Sequence, residues 1–505
     1  MHTLRRLRPW VQLVALLLFL ALLVGTGRPG WPTKWIFFAD PLAGLAHTLA
    51  SRHIVTGLLI GSLIALLVAV VGGRIWCGWL CPLGTVLDWM PARRSKRHEP
   101  DPLPGLRSFK YTLLILILAA ALLGNLTLLV LDPLTIAYRT AAVAVWPPLN
   151  ALISASETLL YRLPLLAGLI DAFEAALRGP SLPPEQPRYG AILAVALLFV
   201  AILALNAWRA RFWCRYLCPL GGLLGLVSKL AWLRRTVSER CIECGQCARA
   251  CPTGTIDPDR HFASDPAECI MCLECVPACR QRGQLFVGHL RPAAWQAYDP
   301  SRRQLIAAAA LAVVGVGLSR ADPALRNTPT RLIRPPGADQ SDFMARCIRC
   351  GLCLKACPTS GLQPGQGQVP WAGLWTPVLV PRLGHCDYSC NACGQVCPVG
   401  AIPPLPLEEK RRRVIGHAYI DRSRCIPWVD NRTCLVCEEM CPLPQKAIFL
   451  EDVVVEDYDG TRVEVRRPYV VHDLCIGCGI CENRCPLNGE AAIRVYAPTE
   501  LGAVG

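Results

Sequence analysis

The chain has 505 residues, of which 53% are hydrophobic and 18% charged, with 28 cysteines against 5 methionines. So apolar a composition excludes a disordered chain, and so little charge excludes an ordinary soluble globule, which carries roughly 25%. The formal charge of +15 raises nucleic acid or an anionic membrane as partners.

Taken in chain order, five charge-free apolar stretches come first to notice: 9–27, 54–73, 111–131, 189–208 and 304–319. A helix of about 20 residues rises about 30 Å, the thickness of bilayer hydrocarbon. The first four read as membrane spans, and the fifth is shorter and Ala-rich. No A-x-A-like cleavage site follows the first, which reads as a retained anchor. Basic residues flank alternate ends. Arg5, Arg6 and Arg8 precede the first span. Arg93, Arg94, Lys96, Arg97, Arg107 and Lys110 separate the second from the third. Arg209, Arg211, Arg215, Lys229, Arg234, Arg235 and Arg240 follow the fourth. Positive charge marks the cytoplasmic side, which places the N-terminus, the 74–110 loop and the chain after 209 inside. The outer loop, 132–188, has apolar pieces at 141–146 and 163–170, broken by Pro147, Pro148 and Pro164, and reads as interfacial helices.

An internal repeat marks the cytoplasmic ends of two spans. Arg74-Ile-Trp-Cys77-Gly-Trp-Leu-Cys81-Pro-Leu-Gly84 recurs as Arg211-Phe-Trp-Cys214-Arg-Tyr-Leu-Cys218-Pro-Leu-Gly221. Cysteines four apart share one helix face, so Cys77, Cys81, Cys214 and Cys218 could form a metal or cluster site, form a thiol–disulfide site, or simply pack.

The other 24 cysteines fall into six quartets: Cys241, Cys244, Cys247 and Cys251; Cys269, Cys272, Cys275 and Cys279; Cys347, Cys350, Cys353 and Cys357; Cys386, Cys390, Cys393 and Cys397; Cys425, Cys434, Cys437 and Cys441; Cys475, Cys478, Cys481 and Cys485. Four have the spacing C-x2-C-x2-C-x3-C, the bacterial run for [4Fe–4S] clusters. The quartets at Cys386 and Cys425 widen the first gap to three and eight residues. Proline follows the last cysteine in all but the quartet ending at Cys279, where Arg280 stands. Three close cysteines wrap three corners of a cubane, and the fourth reaches a neighbouring cluster. Quartets should therefore work in pairs. In the first pair, Cys279 should join Cys241, Cys244 and Cys247, while Cys251 joins Cys269, Cys272 and Cys275. For the last four a nested order is expected, first with last and second with third, and pairing of adjacent quartets is the alternative. Structural zinc favours two separated C-x2-C knuckles, and disulfides belong to small secreted scaffolds; neither suits this pattern. Six cubanes at about −2 each would bring the charge to about +3, which removes the electrostatic motive for binding nucleic acid.

Ser301-Arg302-Arg303-Gln304-Leu305-Ile306, ahead of the fifth apolar stretch, resembles a twin-arginine export signal, with Leu305 where Phe is common. Export of a domain already folded around its clusters would account for 16 cluster thiols facing an oxidising compartment. The alternative is that Arg302 and Arg303 mark a positive-inside boundary. No acid–base constellation stands out. His385, His417 and His472 lie near quartets and read as surface residues or as donors tuning the sites. His47 and His53 do not form a haem-binding pair, so no haem is expected.

The fold class that follows is an α-helical membrane domain of about five transmembrane helices built on a tandem repeat, with α+β bacterial-ferredoxin-like [4Fe–4S] domains. The expected divisions are a transmembrane domain at 1–235, a cytoplasmic two-cluster ferredoxin domain at 236–290, a linker with the fifth helix at 291–340, and a four-cluster domain, periplasmic, at 341–505. Residues 1–290, with the repeated C-x3-C-P-L-G, resemble the membrane quinol-dehydrogenase (NapH-like) component of periplasmic nitrate reductase systems. From Ser301 on, the quartets at Cys347 and Cys475 resemble the partner ferredoxin component (NapG-like), also seen in methylamine-utilisation ferredoxins. The chain resembles a fusion of the two. The resemblance implies a multi-pass protein of the bacterial inner membrane that carries electrons from quinol, through six clusters, to a periplasmic oxidoreductase or c-type cytochrome. A maturation factor for a periplasmic metalloenzyme is the second reading, and a membrane redox sensor the third.

Overall fold

The computed structural model describes residues 2–90, 104–163, 167–178, 182–183, 185–279, 284–289, 291–293, 301–321, 332–338, 340–367, 369, 371–456 and 460–498. Arg93, Arg94, Lys96, Arg97, Pro164 and Arg280 lie outside them.

Each apolar stretch supplies a helix: α1 (His2–Val24), α2 (Thr56–Gly72), α3 (Phe109–Leu122), α4 (Ile192–Trp208) and α5 (Arg302–Ala321). Their outward faces are apolar. Val14, Leu18, Leu63, Leu67, Leu197, Val200, Val313 and Leu318 are exposed, and Leu193 is 73% exposed. A belt of this kind is costly in water and marks an apolar environment or partner. Among the described residues, two stretches, Thr3–Val24 (22 residues) and Gly105–Leu122 (18 residues), are long and apolar enough to cross a bilayer. α2 and α4, at 17 residues each, are shorter. Of the about five transmembrane helices expected, two are therefore long and apolar enough to span among the described residues. The expected span 111–131 breaks at Gly124, which takes φ +79°, and continues as a 3-10 turn at Thr127–Leu131.

The outer loop also differs from expectation. Pro147 and Pro148 do not break a helix; they stand at the start of Trp146–Leu160, directly after a π-helical turn. That helix continues Pro133–Arg139 through a π-helical turn at Thr140–Val145, which absorbs the mismatch.

The helices join two ends of the molecule. At the near end, Arg5 of α1 pairs with Glu274 at 3.1 Å, Tyr111 of α3 donates to Glu268 at 3.0 Å, and Asn206 of α4 donates to the Leu87 carbonyl at 3.0 Å. At the far end, Thr26 bonds Tyr138 at 2.8 Å, Thr127 donates to the Ala372 carbonyl at 3.2 Å, and Tyr189 donates to the Leu354 carbonyl at 3.0 Å. α5 begins at the near end, where Gln304 donates to Ser108 at 3.3 Å. It then packs Ala312 and Val316 on Ala120 of α3. Ser301 and Gln304 bond each other's backbone N–H, a capping pair that starts this helix. Arg302 and Arg303 are exposed.

The cysteine-rich segments sit at the two ends. Residues 233–279 and 284–288 pack at the near end, closed by antiparallel strands Leu233–Val237 and Gln284–Gly288. The described residues from 332 on pack at the far end, with strands Leu362–Pro364 against Pro377–Leu379 and His417–Ile420 against Ile493–Tyr496. A longer hairpin, Ile448–Glu456 with Arg462–Val470, flanks them.

Candidate iron-sulfur sites

The quartets share a backbone device. In the four with C-x2-C-x2-C spacing, the residues before and after the second cysteine both lie at positive φ. The pairs are Glu243 and Gly245 (53° and 71°), Met271 and Leu273 (51° and 61°), Arg349 and Gly351 (58° and 86°), and Gly477 and Gly479 (73° and 82°). This winds the loop tightly enough for three thiols to face one space, with backbone N–H groups turned inward. A single turn of helix follows, as at Leu352–Ala356 and Ile480–Arg484, and ends at the fourth cysteine in extended conformation. Cys251, Cys279, Cys357 and Cys485 have ψ of 114°, 104°, 111° and 126°. A following proline disfavours the helical region for the residue before it, so Pro252, Pro358 and Pro486 turn their cysteines away from their own loops. Cys279 does the same without proline.

Four pockets in the far-end domain are each lined by four cysteines: Cys347, Cys350, Cys353 and Cys397; Cys386, Cys390, Cys393 and Cys357; Cys425, Cys434, Cys437 and Cys485; and Cys475, Cys478, Cys481 and Cys441. Adjacent quartets therefore exchange their fourth cysteines, and the nested order is corrected. The reason is reach: one helical turn carries the fourth cysteine only as far as the neighbour its own strand packs on. The two pairs touch where the Cys386 N–H donates to the Cys478 carbonyl at 2.8 Å. At the near end, Cys251 lies beside Cys269, Cys272 and Cys275, and Cys241 and Cys279 lie beside Cys247.

These donor sets fit cubanes. Burial pushes the Cys437, Cys478 and Cys275 thiols up to about 12, so as bare thiols they hold their protons, and iron would replace them. Among the described residues, no three Cys, His, Asp or Glu side chains stand close enough to share a single metal ion. Backbone donors already point at sulfur: Ala418 to Cys475 at 3.4 Å, and Ile402 to Cys397 and Ala392 to Cys390 at 3.5 Å.

Burial is graded. At the near end Cys244 is exposed while Cys272 and Cys275 are buried beside the helices. At the far end Cys347, Cys350 and Cys353 are buried against the helix domain, and Cys425, Cys434, Cys437 and Cys441 are half-buried at the other extreme. His385 lines the Cys386 cavity. His417 bonds the His472 carbonyl at 3.1 Å, and the same carbonyl accepts from the Cys475 N–H at 3.0 Å. All three histidines are half-buried.

The comparisons bear on these sites directly. Residues 346–402 match the family described as "4Fe-4S dicluster domain" (Fer4_9), the two quartets that exchange cysteines first. Residues 236–257 and 468–488 match "4Fe-4S binding domain" (Fer4), and 54–98 and 190–238, which hold the membrane repeat, match another family of that description (Fer4_5). The methylamine utilization ferredoxin-type protein MauM of Methylorubrum extorquens is 37% identical, over 41% of this chain and 93% of its own length. The chain belongs to the MauM/NapG family of ferredoxin-type proteins. Within it, the ferredoxin-type protein NapG of Escherichia coli is 35% identical over 39% of this chain and 84% of its own length. The putative electron transport protein YccM of Escherichia coli is 28% identical over 53% and 66%. No solved structure matches.

Sequence reasoning missed the charges that hold the near-end ferredoxin in place. Glu268, wholly buried, meets Lys110, Arg74 at 3.4 Å and Tyr111. Burial pushes its carboxyl up, but Lys110, Arg74 and Arg107 together hold it below the usual range. Arg107 donates to the carbonyls of Thr253 (3.0 Å) and Gly254 (2.7 Å), next to Cys251. Arg74 recurs as Arg211 in the repeat and was visible there; Glu268 had no signal beyond adjoining Cys269.

Proposed function

We propose that this chain is a membrane-bound electron-transfer protein that takes electrons from membrane quinol and passes them to a periplasmic oxidoreductase of the nitrate-reductase kind or a c-type cytochrome. On this reading it is a fusion of NapH-like and NapG-like components. The observation that carries the reading is the placement of thiol sites at opposite ends of one apolar helix bundle. Clusters of this class, when bound, accept and release single electrons without moving protons or atoms.

The chain's own residues do the rest. The two pairs of far-end sites share the Cys386–Cys478 contact, and the row runs from the buried Cys347 site to the half-buried Cys425 site. The buried end meets the helices through Arg139, which donates to the Arg349 carbonyl at 2.5 Å and stacks on Trp375. The other end is open to a partner. Arg5, Arg8 and Arg107 at the near end support a cytoplasmic assignment for that side. With α1 and α3 as full spans and α2, α4 and α5 completing the bundle, the far-end domain is then periplasmic, and Arg302 and Arg303 open an export segment. Six quartets supply six clusters. The putative electron-transport assignment of the YccM relative supports the same chemistry.

The test is anaerobic purification followed by addition of a menaquinol analogue. Reduced [4Fe–4S] signals in the EPR spectrum are expected within the mixing time. Signals that form with dithionite but never with quinol would reject the donor assignment.

A further inference from the structure

Each copy of the membrane repeat brings two thiols, half of what a cubane needs. The segments 54–98 and 190–238, each matching a 4Fe-4S binding domain family, contain only Cys77 and Cys81, and only Cys214 and Cys218, respectively. In the folded chain the copies interlock. Arg74 of the first copy donates to the Cys214 carbonyl at 3.2 Å, and Arg211 of the second donates to the Cys77 carbonyl at 2.8 Å. All four cysteines are unbridged and buried, between 4% and 7% exposed. Each lies close enough for its charge to act on the others.

The local backbone repeats one part of the quartet device, the extended cysteine ahead of proline. Cys81 and Cys218, each followed by proline, are extended at ψ 119° and 110° and cap the helices Pro82–Trp89 and Pro219–Ser228. The N–H of Gly84 points at the Cys81 sulfur at 3.4 Å, and that of Gly221 at the Cys218 sulfur at 3.2 Å. Both glycines leave room for the groups that interlock the copies: a Cβ on Gly84 would stand 2.7 Å from the Cys77 carbonyl oxygen and 3.0 Å from Arg211 Nη1, and one on Gly221 would stand 2.6 Å from Arg74 Nη2.

Charge gives the independent argument. Arg8, Arg74, Arg211 and Lys110 are buried around these thiols. The carboxylates that answer them are Asp88, which meets Arg8 and Arg211, Glu268, which meets Arg74 and Lys110, and the half-buried Glu274, which meets Arg8 at 3.5 Å and also Arg5. With Arg5, five cations meet three carboxylates, an excess of two positive charges at this end of the helices, and buried charge needs a partner. A cubane with four thiolates carries about −2.

We propose that Cys77, Cys81, Cys214 and Cys218 together form one additional [4Fe–4S] site, shared between the two repeats and neutralised by Arg74 and Arg211. It adjoins the Cys251, Cys269, Cys272 and Cys275 site, because Gly78 packs against Ile270 of that loop. The assignment does not depend on which donor or acceptor the chain serves.

Native mass spectrometry of the anaerobically purified full chain counts clusters without mutation. The account expects seven cubanes and about 28 iron atoms per chain, where the six quartets alone would hold about 24. The double variant Cys77→Ser/Cys218→Ser, which takes one thiol from each repeat, should lose about four irons and one EPR signal while the other signals persist. A count of six in the unaltered protein, one zinc in place of four irons, or a Cys77–Cys81 or Cys214–Cys218 disulfide in anaerobic peptide maps would overturn it.

Discussion

Glu268 shows how single side chains set the architecture. Its carboxylate has no exposed surface, nor does the Lys110 ammonium it meets. Removing one partner of such a pair leaves the other charge stranded, at a cost of about 3–5 kcal/mol. Glu268→Gln should therefore loosen the near-end ferredoxin from the helices, seen as faster amide exchange over 241–279. Lys110→Met with Glu268→Gln should recover much of the loss. Protection unchanged in Glu268→Gln would count against the pair as a fastener. At the far end, Asp40 and Asp132 are both wholly buried and cap the helices Pro41–Ser51 and Pro133–Arg139. Burial pushes Asp40 up to about 6; burial and the Asp40 charge also raise Asp132. A carboxyl raised on folding favours the folded state below its unfolded pKa of about 3.9, and that contribution is lost as pH rises through about 6. Melting should thus fall between pH 5 and pH 8. Asp132→Asn, which keeps a capping oxygen, should raise the melting temperature at pH 8 and leave it nearly unchanged at pH 5. An equal shift at both values would contradict a raised Asp132 carboxyl.

Elements were legible in the sequence where their cause is local. Cysteine spacing announced the tight loops, proline announced the extended fourth cysteine, and the apolar runs announced the helices. Pairing of the last four quartets was not legible, because it depends on which loops pack together in space. The break at Gly124 was hidden inside an apolar run, and Pro147 and Pro148 gave the opposite signal to the one they carry. Convergence of the two membrane repeats could be suspected from the repeated Arg and Cys, yet the balancing carboxylates Asp88 and Glu268 lie outside the motif. Gly351 and Gly479 sit at φ 86° and 82°, where a side chain costs about 1–2 kcal/mol. A Cβ on Gly479 would also stand 2.9 Å from Pro381. Gly479→Val should lower iron content by about four atoms per chain, measured by iron and acid-labile sulfide analysis. Retention of full iron would show that the positive-φ loop is dispensable.

Across the whole molecule, one hydrophobic core runs from Cys272 at the near end, through the helices, to Cys347, Cys350 and Cys481 at the far end. The two ferredoxin regions are thus built onto one frame rather than tethered to it, and their separation is fixed by helix length. Apolar side chains around that frame face outward, which is the expected surface of a protein with lipid at its waist and water at both ends. The account stands or falls on those ends lying in different compartments. Alkaline phosphatase, active only outside the cytoplasm, fused after Gly505 should be active in whole cells and fused after Gln284 inactive; an inactive fusion after Gly505 would place both ferredoxin regions on one side and contradict it.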